Sequence, residues 1–317
     1  MRFEYSAGAF VYYIEDGKPL FLLLKREKDT DIPKGHIEKG ESAIEAAKRE
    51  VKEETGLEPL FLPYFSVKTR YFFYEGKEKV MKNVKFFIAK SHTKEVKISF
   101  EHTGYSWLDK ENMLEQASYK DIKEILPKIY DYVDRYEAME KLNEEYAKLP
   151  ENRSWQLSKN FVPGEGPLNA SIVLVGQAPG RQEDEKRRPF IGRSGELLTE
   201  MLKKAGIRRE EVYITSVVQF YPPGNREPSR KEIELCLPFL KRQLEIIKPK
   251  FVLLLGNVAA YALLGKESTS ELHGKTVEKE GIVYFITFHP AAALRFPNIR
   301  IEMEKDIANF AEIVKTI

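Results

Sequence analysis

The stretch GHIEKGESAIEAAKREVKEETGL, residues 35–57, combines a short helix with an unusual density of carboxylates. Good helix formers fill its centre, and glycines mark both flanks, where helices begin and end. Residues three and four apart share a helix face, so Glu50, Glu53 and Glu54 lie together and repel one another. This pattern is typical either of a solvated charged face or of a site for a hard cation such as Mg²⁺, which prefers oxygen ligands.

The spacing of the glycine, arginine and glutamate residues resembles the Nudix box of nucleoside diphosphate hydrolases at every fixed position from Gly35 to Leu57. The resemblance implies a Mg²⁺ or Mn²⁺ ion held by Glu50, Glu53 and Glu54, with Glu53 and Glu54 also in the catalytic set. Arg49 would orient these glutamates by ion pairing. A bound cation would then neutralise the repulsion between the carboxylates.

Two further segments, IPKGHIEKGE and SFEHTGYSWL, resemble the diadenosine tetraphosphate hydrolase branch of the Nudix family. The resemblance implies that Glu101 is an additional acid near the metal and that His102 contacts phosphate or shapes the site. Tyr105 would stack on adenine or simply pack, and Lys34 would reach a phosphate as a point charge. Ordinary half-buried roles for His102 and Tyr105 stay open, as does a modified nucleoside triphosphate as the substrate.

Length and composition favour two domains in a soluble, cytoplasmic protein. The chain has 317 residues, and its net charge of +2 is too small for a global electrostatic attraction to polyanions. Its single cysteine excludes an internal disulfide. Heavy use of lysine and glutamate favours a thermophilic source. The longest apolar run, FVLLLGNVAAYALLG, is too short to span a bilayer, and the first ten residues lack a signal-peptide pattern, so we expect no membrane partner.

The first domain is predicted to span residues 1–134 as an α/β/α sandwich. The apolar runs SAGAFVYYI and LFLLLKRE flank the turn-rich EDGKP and predict paired strands, and FFIAKS and YSWLD follow the box helix. A helix is predicted from about Tyr119 to Val133. We place the boundary near Arg135 and assign the next helical stretch, DRYEAMEKLNEEYAKL, to a second domain of residues 135–317.

The second half is predicted to form a parallel sheet wrapped by helices. The four apolar runs SIVLVG, VYITSVV, FVLLLG and VYFITF are separated by helical stretches. Each run is followed by glycine, proline or polar residues, in QAPGRQED, QFYPPGNR, NVAAY and HPAAALR. Open α/β sheets bind ligands at the carboxyl ends of their strands, so the sequence predicts a site there.

Those same segments resemble the thermostable, iron–sulfur type of uracil-DNA glycosylase over nearly the whole second half. The resemblance implies that Phe190 stacks on a flipped base, that His289 donates to its oxygen, and that Glu183 positions water or stabilises the sugar cation. It also implies that DNA is a partner. Its contacts would be a minor-groove wedge at Leu294 and Arg295 and a phosphate grip at Asn225 and Arg226.

Three departures from that family decide how far the resemblance carries. Gln177 stands where the family has a glutamate next to the sugar, and Ser216 stands where it has the asparagine that reads uracil. Both residues belong to the predicted site. One interpretation is a bifunctional enzyme that hydrolyses nucleoside polyphosphates and excises uracil or another damaged base. The alternative is a Nudix hydrolase whose second domain only binds DNA or nucleotide.

The third departure concerns the [4Fe–4S] cluster, which the family holds with four cysteines. Only Cys236 remains here, and the other three ligand positions are Asn152, Trp155 and Phe220. We therefore predict no cluster. Because a void of that size is costly, we also predict that Trp155 and Phe220 pack against Cys236 as an apolar plug.

Overall fold

The computed structural model describes residues 1–151, 156–266 and 268–316, so Asn152 and Trp155 of the predicted plug lie outside the described residues. The chain divides into two compact units, residues 1–134 and 135–317. Both units are mixed α/β structures, which confirms the predicted fold class. Within the described residues, no helix is both long and apolar enough to cross a membrane.

The first unit is built on one eight-stranded sheet with the central order β3-β2-β1-β7-β5. Its strands are β1 (Arg2–Glu15), β2 (Lys18–Lys25), β3 (Thr30–Asp31), β4 (Lys34–His36), β5 (Leu60–Phe61), β6 (Val67–Glu75), β7 (Glu78–Lys90) and β8 (Gly104–Leu108). Strands β4, β6 and β8 pair with β1, β7 and β2, respectively. The helices are α1 (Ala43–Thr55), α2 (Lys110–Gln116) and α3 (Lys120–Ala147).

Helix α1 carries the glutamate cluster, and its ends are fixed by local sequence. Ser42 caps its first turn, and Glu45 bonds back to the Ser42 backbone in a capping box. Gly56 ends it in the left-handed conformation, with φ 69°. Ala46, Ala47 and Val51 pack against the sheet, and this packing places the opposite, acidic face toward open space.

Helix α3 differs from the prediction of two separate helices. It runs without interruption from Lys120 to Ala147, through Pro127 and across the boundary at residue 134. A proline inside a helix removes a backbone hydrogen bond and normally kinks or breaks it. Buried apolar side chains before and after Pro127, including Leu126 and Ile129, hold the helix on the first unit's core.

The second unit contains a five-stranded sheet of order β10-β9-β11-β13-β12. Its strands are β9 (Ile172–Gly176), β10 (Tyr213–Ser216), β11 (Phe251–Leu255), β12 (Thr276–Lys279) and β13 (Ile282–Thr287). Its remaining helices are α4 (Arg181–Lys186), α5 (Arg193–Lys204), α6 (Arg230–Ile247), α7 (Asn257–Leu264), α8 (Thr269–Leu272), α9 (Pro290–Arg295) and α10 (Pro297–Thr316).

The four strands predicted from apolar runs pair in parallel, and β12 adds an antiparallel edge that the sequence analysis missed. The central strands β9 and β11 are buried at every residue, as expected for a sheet covered on both faces. Four parallel strands therefore direct their carboxyl ends, and the loops that follow, toward one edge.

Candidate active sites

In the first unit, Arg49 organises the acidic face of α1. Its guanidinium donates to Glu41 at 3.1 Å, to Glu50 at 2.7 Å and to Glu53 at 3.1 Å. A further bond, 2.9 Å long, reaches the carbonyl oxygen of His36. These bonds raise the pKa of Arg49, with Glu41 the largest cause. Arg49 thus aligns Glu41, Glu50 and Glu53, whereas the resemblance implied that it orients Glu50, Glu53 and Glu54.

Gly35 leaves the space that Glu50 occupies. A Cβ built on Gly35 would lie 2.0 Å from Glu50 Oε1, so any side chain there would displace the carboxylate. This close approach explains why the box begins with glycine.

Glu54 is the buried member of the cluster, with 7% of its surface exposed. Its Oε2 accepts from the backbone N–H of Lys34 at 3.2 Å. Burial, and then the neighbouring charge of Asp31, raises the pKa of Glu54 to about 8. A nearby cation would favour the charged carboxylate.

The donor set of this site fits a hard divalent cation, because it consists of carboxylate oxygens beside an open cleft. As the side chains are placed, no group of three or more His, Cys, Asp or Glu residues lies close enough to hold a metal within the described ranges. Glu50 and Glu53 instead point toward Arg49. Glu50, Glu53 and Glu54 are the residues that would hold the ion.

A cleft of about 1120 Å³ opens beside these glutamates. Of the residues predicted for this site, Lys34, Arg49, Glu50, Glu53, Glu54 and Glu101 line it. Lys34 Nζ lies 2.6 Å from both carboxylate oxygens of Asp31, and Arg26 lies 2.9 Å from one of them. Asp31 therefore holds two cations at the cleft, and Arg26 joins Lys34 as a candidate phosphate contact.

His102 and Tyr105 do not line this cleft. His102 is buried, its Nδ1 lies 3.1 Å from Ser99 Oγ, and burial lowers its pKa. It shapes the loop that carries Glu101. Tyr105 lies on β8, 39% exposed, where its strand pairs with β2. Neither residue lines the cleft, so the predicted contacts of His102 with phosphate and of Tyr105 with adenine stay predictions.

The aromatic side chains of the cleft were missed by the sequence analysis. Tyr71 on β6 and Tyr119 before α3 both line it, as do Phe73 and Phe100. Lys82 pairs with Tyr71 across β6 and β7, and burial lowers the pKa of its ammonium. The segment RYFFYEGKEKVMK carried the signal, because four consecutive aromatic residues precede the turn at Gly76.

In the second unit, a pocket of about 490 Å³ lies at the carboxyl ends of β9, β10 and β13. Of the residues predicted for this site, Gln177, Glu183, Phe190, Ser216, Asn225, Arg226, His289 and Arg295 line it. Leu294 is 41% exposed on α9 beside the pocket. The structure thus gathers side chains from four segments at the sheet edge where the sequence placed a site.

Phe190 and Ser216 meet over the end of β9. A Cβ on Gly176 would lie 2.4 Å from Phe190 Cζ and 3.4 Å from Ser216 Oγ. Phe190 itself has φ 51°, an uncommon backbone conformation for a bulky residue. A base stacked on the Phe190 ring would therefore present its edge near the Ser216 hydroxyl.

His289 is held as a neutral imidazole with a defined tautomer. Its Nδ1 accepts from the backbone N–H of Ala291 at 3.2 Å, so the ring proton resides on Nε2. The residue is half-buried, but Nε2 itself is buried and has no partner within the described residues. Burial lowers the pKa of His289 to about 4. An unpaired, uncharged N–H donor thus lies at the pocket.

Glu183 is tied to the loop that carries Phe190. Its Oε1 accepts from the backbone N–H groups of Ile191 at 3.0 Å and Gly192 at 2.7 Å. Gly192 is the N-cap of α5, so the carboxylate also lies at the positive end of that helix. These bonds fix the loop that carries the stacking ring, a role that the sequence analysis had not assigned to Glu183.

A closed ring of hydrogen bonds lies at the floor of the pocket, next to Ser216. Thr215 Oγ1 donates to Gln243 at 3.0 Å, Gln243 donates to Gln219 at 2.9 Å, and Gln219 donates to Thr215 at 2.7 Å. All three residues are buried, with at most 1% of their surface exposed. Each side chain both donates and accepts, so the ring fixes the floor of the pocket next to Ser216.

The predicted phosphate grip is partly engaged within the protein. Arg226 forms two bonds to Glu232, of 2.8 and 2.7 Å. Asn225 has φ 54° in the turn that precedes it. The loop is therefore ordered by its own ion pair before any ligand binds.

The residues at the cluster position do not fit a four-thiolate [4Fe–4S] centre. Cys236 is buried and free, and burial raises its pKa to about 12. Phe220 is fully buried and lies 5.4 Å from Tyr146 and 5.6 Å from Phe161, measured between ring centres. Tyr146 also stacks on Phe239 at 4.2 Å. Among the described residues, this region is thus occupied by an aromatic cluster that includes Phe220.

The two units thus carry one acidic cleft and one pocket at the carboxyl edge of a parallel sheet. The NUDIX domain model matches residues 3–129, and the uracil DNA glycosylase superfamily model matches residues 163–315. The chain belongs to the Nudix family through its first unit and to the uracil-DNA glycosylase superfamily through its second. Both resemblances found in the sequence are confirmed.

Individual relatives match one unit each. The type-4 uracil-DNA glycosylase of Pyrobaculum aerophilum is 46% identical over 167 residues, which cover 48% of this chain and 82% of that protein. The Archaeoglobus fulgidus type-4 enzyme is 43% identical over 55% of this chain and 94% of its own. The asymmetrical bis(5′-nucleosyl)-tetraphosphatase of Caenorhabditis elegans is 34% identical over 39% of this chain and 91% of its own. The chain therefore combines a Nudix hydrolase domain with a uracil-DNA glycosylase domain.

Proposed function

We propose that the first unit hydrolyses diadenosine tetraphosphate or a related nucleoside polyphosphate with the help of Mg²⁺ or Mn²⁺. The main support is the cleft, in which the α1 glutamates face the cations held by Asp31. A bound divalent cation would neutralise the phosphate chain and lower the pKa of a water molecule. Tyr71 and Tyr119 would bind an adenine, and Arg26 and Lys34 would orient phosphates. Glu101 would accept a proton from the attacking water.

The test is hydrolysis of diadenosine tetraphosphate by the full chain with Mg²⁺, Mn²⁺ or chelator, with products separated by ion-exchange chromatography. We expect ATP and AMP, formed only when metal is present. An intact dinucleotide after long incubation with metal would reject this substrate, and a modified nucleoside triphosphate would be assayed next.

We propose that the second unit excises uracil or another damaged base from DNA. The observation that carries this proposal is the tautomer of His289, whose unpaired Nε2–H is an oxyanion donor of the kind that base departure requires. Phe190 would stack on the flipped base while His289 donates to a base carbonyl oxygen. The C1′–N bond then breaks, the base leaves as an anion with the bonding electrons, water adds to C1′, and the proton that the water loses ends on the released base.

Incubation with oligonucleotides that carry uracil, hypoxanthine or other lesions tests this proposal. We expect an abasic product that alkali cleaves, and loss of that product in His289→Ala. The alternative is a unit that binds DNA without excision, which Gln177 and Ser216 favour because both remove groups used by the family. Tight binding with no abasic product from any lesion would select that alternative.

A further inference from the structure

One face of the first unit's sheet is left uncovered at the end of the β6–β7 hairpin. Strand pairing places Phe3, Met81 and Phe72 in one row and Tyr5, Asn83 and Arg70 in the next. Partners in a row project to the same side of a sheet. Tyr74 belongs to this face as well, because it lies two residues beyond Phe72. We call this face, with its rings Phe3, Tyr5, Phe72 and Tyr74, the aromatic platform.

The platform begins where helix α1 stops covering the sheet. Ala7 is the next residue on the same side of β1 after Tyr5, and it is buried against Ala46 and Ala47 of α1. Beyond it, the four rings are 50%, 60%, 56% and 65% exposed in chain order. Isolated exposed aromatics are ordinary, but four on one flat face mark an interaction surface.

The charge of the platform has one sign. Lys68, Arg70, Lys79 and Lys85 project to the same side as the rings. None of them forms an ion pair with any residue that the structure describes. Lys79 Nζ lies 4.2 Å from the centre of the Phe72 ring, and Lys85 Nζ lies 5.1 Å from that of Phe87.

The nearby acids do not oppose this charge. Strand alternation places Glu4, Glu75 and Glu78 on the other side of the sheet, and Arg2 pairs with all three of them. The segment of residues 67–90 holds seven basic residues and two glutamates, whereas the whole chain carries only +2. Positive charge is therefore concentrated where the rings are exposed.

We propose that the aromatic platform binds single-stranded nucleic acid. Unpaired bases present faces that stack on exposed rings, and their phosphates pair with interleaved Lys and Arg side chains. A duplex cannot offer its base faces in this way. A protein partner would match the rings, but it would have to supply acidic groups for four cations without contributing stacking. The observations therefore favour a strand of RNA or DNA on this face, which meets the cleft of the first unit at Phe72, since that ring belongs to both.

The experiment measures binding of the full chain to a 15-nucleotide oligouridylate RNA and, in parallel, to oligothymidylate DNA by fluorescence anisotropy. The variants are Tyr5→Ala/Tyr74→Ala and its matched counterpart Tyr5→Leu/Tyr74→Leu, which keeps apolar area but removes the rings. Leu60→Ala, at an exposed apolar residue away from the platform, is the control. Thermal melting checks that each variant is folded.

We expect both double variants to lose about tenfold or more in affinity, because each removes two rings on which bases stack. Photo-crosslinking with 4-thiouridine in the RNA should label residues 2–5 or 67–85. Tighter binding in one arm identifies RNA or DNA as the strand, and equal binding supports a general single-strand site.

Several results would overturn the proposal. Wild-type affinity in the leucine variant would show a generic apolar surface. Crosslinks confined to residues 135–317 would place the strand on the other unit. Sedimentation that shows self-association, lost in the double variants while their affinity for the oligonucleotides stays unchanged, would make the face a contact between copies of this chain. Absence of binding in both arms would also reject it.

Discussion

Glu54 differs from its neighbours on α1 because it is buried and bonded to the Lys34 backbone. We predict that Glu54→Gln lowers polyphosphate hydrolysis by orders of magnitude without unfolding the chain. Gln keeps the acceptor oxygen for the Lys34 N–H but removes the charge that a cation needs. Turnover and thermal melting would be measured together, with the exposed Glu58→Gln as control. Equal losses in both variants would contradict a specific role.

The lowered pKa of His289 predicts an unusual pH dependence of base excision. With its pKa lowered to about 4, the imidazole stays neutral where an ordinary histidine would titrate near 6.5. Excision should therefore show no inflection near pH 6.5 and should fall only as the pH approaches 4. Between pH 6.5 and 4, His289 is protonated in the unfolded chain but stays neutral in the folded protein. The free energy of unfolding therefore decreases as the pH falls from 6.5 to 4. A pH–rate profile of base release, corrected for folding, provides the check.

Ser216 offers one hydroxyl where two hydrogen-bonding groups read uracil in the family. A site that bonds its substrate at two points discriminates strongly, because a wrong ligand leaves buried groups unpaired. We predict that Ser216→Asn shifts excision toward uracil relative to other lesions. Competition between uracil and hypoxanthine oligonucleotides measures the ratio, and an unchanged ratio would show that other residues read the base.

At the scale of elements, the aromatic cluster of Phe220, Tyr146 and Phe161 supports the loop after β10. Phe220→Ala should reduce the free energy of unfolding by about 3–5 kcal/mol, since it empties a fully buried site between Tyr146 and Phe161. Phe296→Ala, at a ring that is 53% exposed, should change it by less than about 0.5 kcal/mol. Chemical denaturation of both variants distinguishes a structural cluster from a loose loop.

Elements with continuous apolar runs were predictable, and those without them were not. The parallel strands β9, β10, β11 and β13 are buried on both faces, so hydrophobicity alone marks them. The β6–β7 hairpin was predicted only at its end, where FFIAKS overlaps the last residues of β7, because the rest of the hairpin lacks a continuous apolar run. The sequence analysis predicted two helices separated near residue 134, whereas α3 is continuous across that position.

Site residues followed the same division. Motif residues such as Glu54 and His289 were found from spacing, since their neighbours in sequence fix them. Tyr71, Lys82 and Gln243 were missed, because only the folding of distant segments brings them to a cleft or under a pocket. Local geometry can be predicted well from the sequence, but contacts between distant segments can be predicted only indirectly.

At the scale of the whole molecule, the near-zero net charge conceals local fields. Four exposed basic side chains surround the base pocket or the loops beside it: Arg187, Arg193, Lys231 and Arg295. We predict that affinity for duplex DNA falls steeply with salt, with a log–log slope of roughly −3 to −4 for about four phosphate contacts. Titrations at several salt concentrations measure the slope, and Arg193→Ala should make it shallower by about 1. A flat response would mean that these charges serve only solubility.

The closed ring of Thr215, Gln219 and Gln243 constrains how this protein can change over evolution. Replacing any one member leaves an unpaired donor on one of the other two and an unpaired acceptor on the other, at side chains with at most 1% of their surface exposed. Single substitutions there are therefore selected against, whereas compensated double or triple replacements are tolerated. Among descendants of this gene, the three positions should vary together or not at all. New base specificities should then arise at Ser216, which lies beside the ring but is not one of its members.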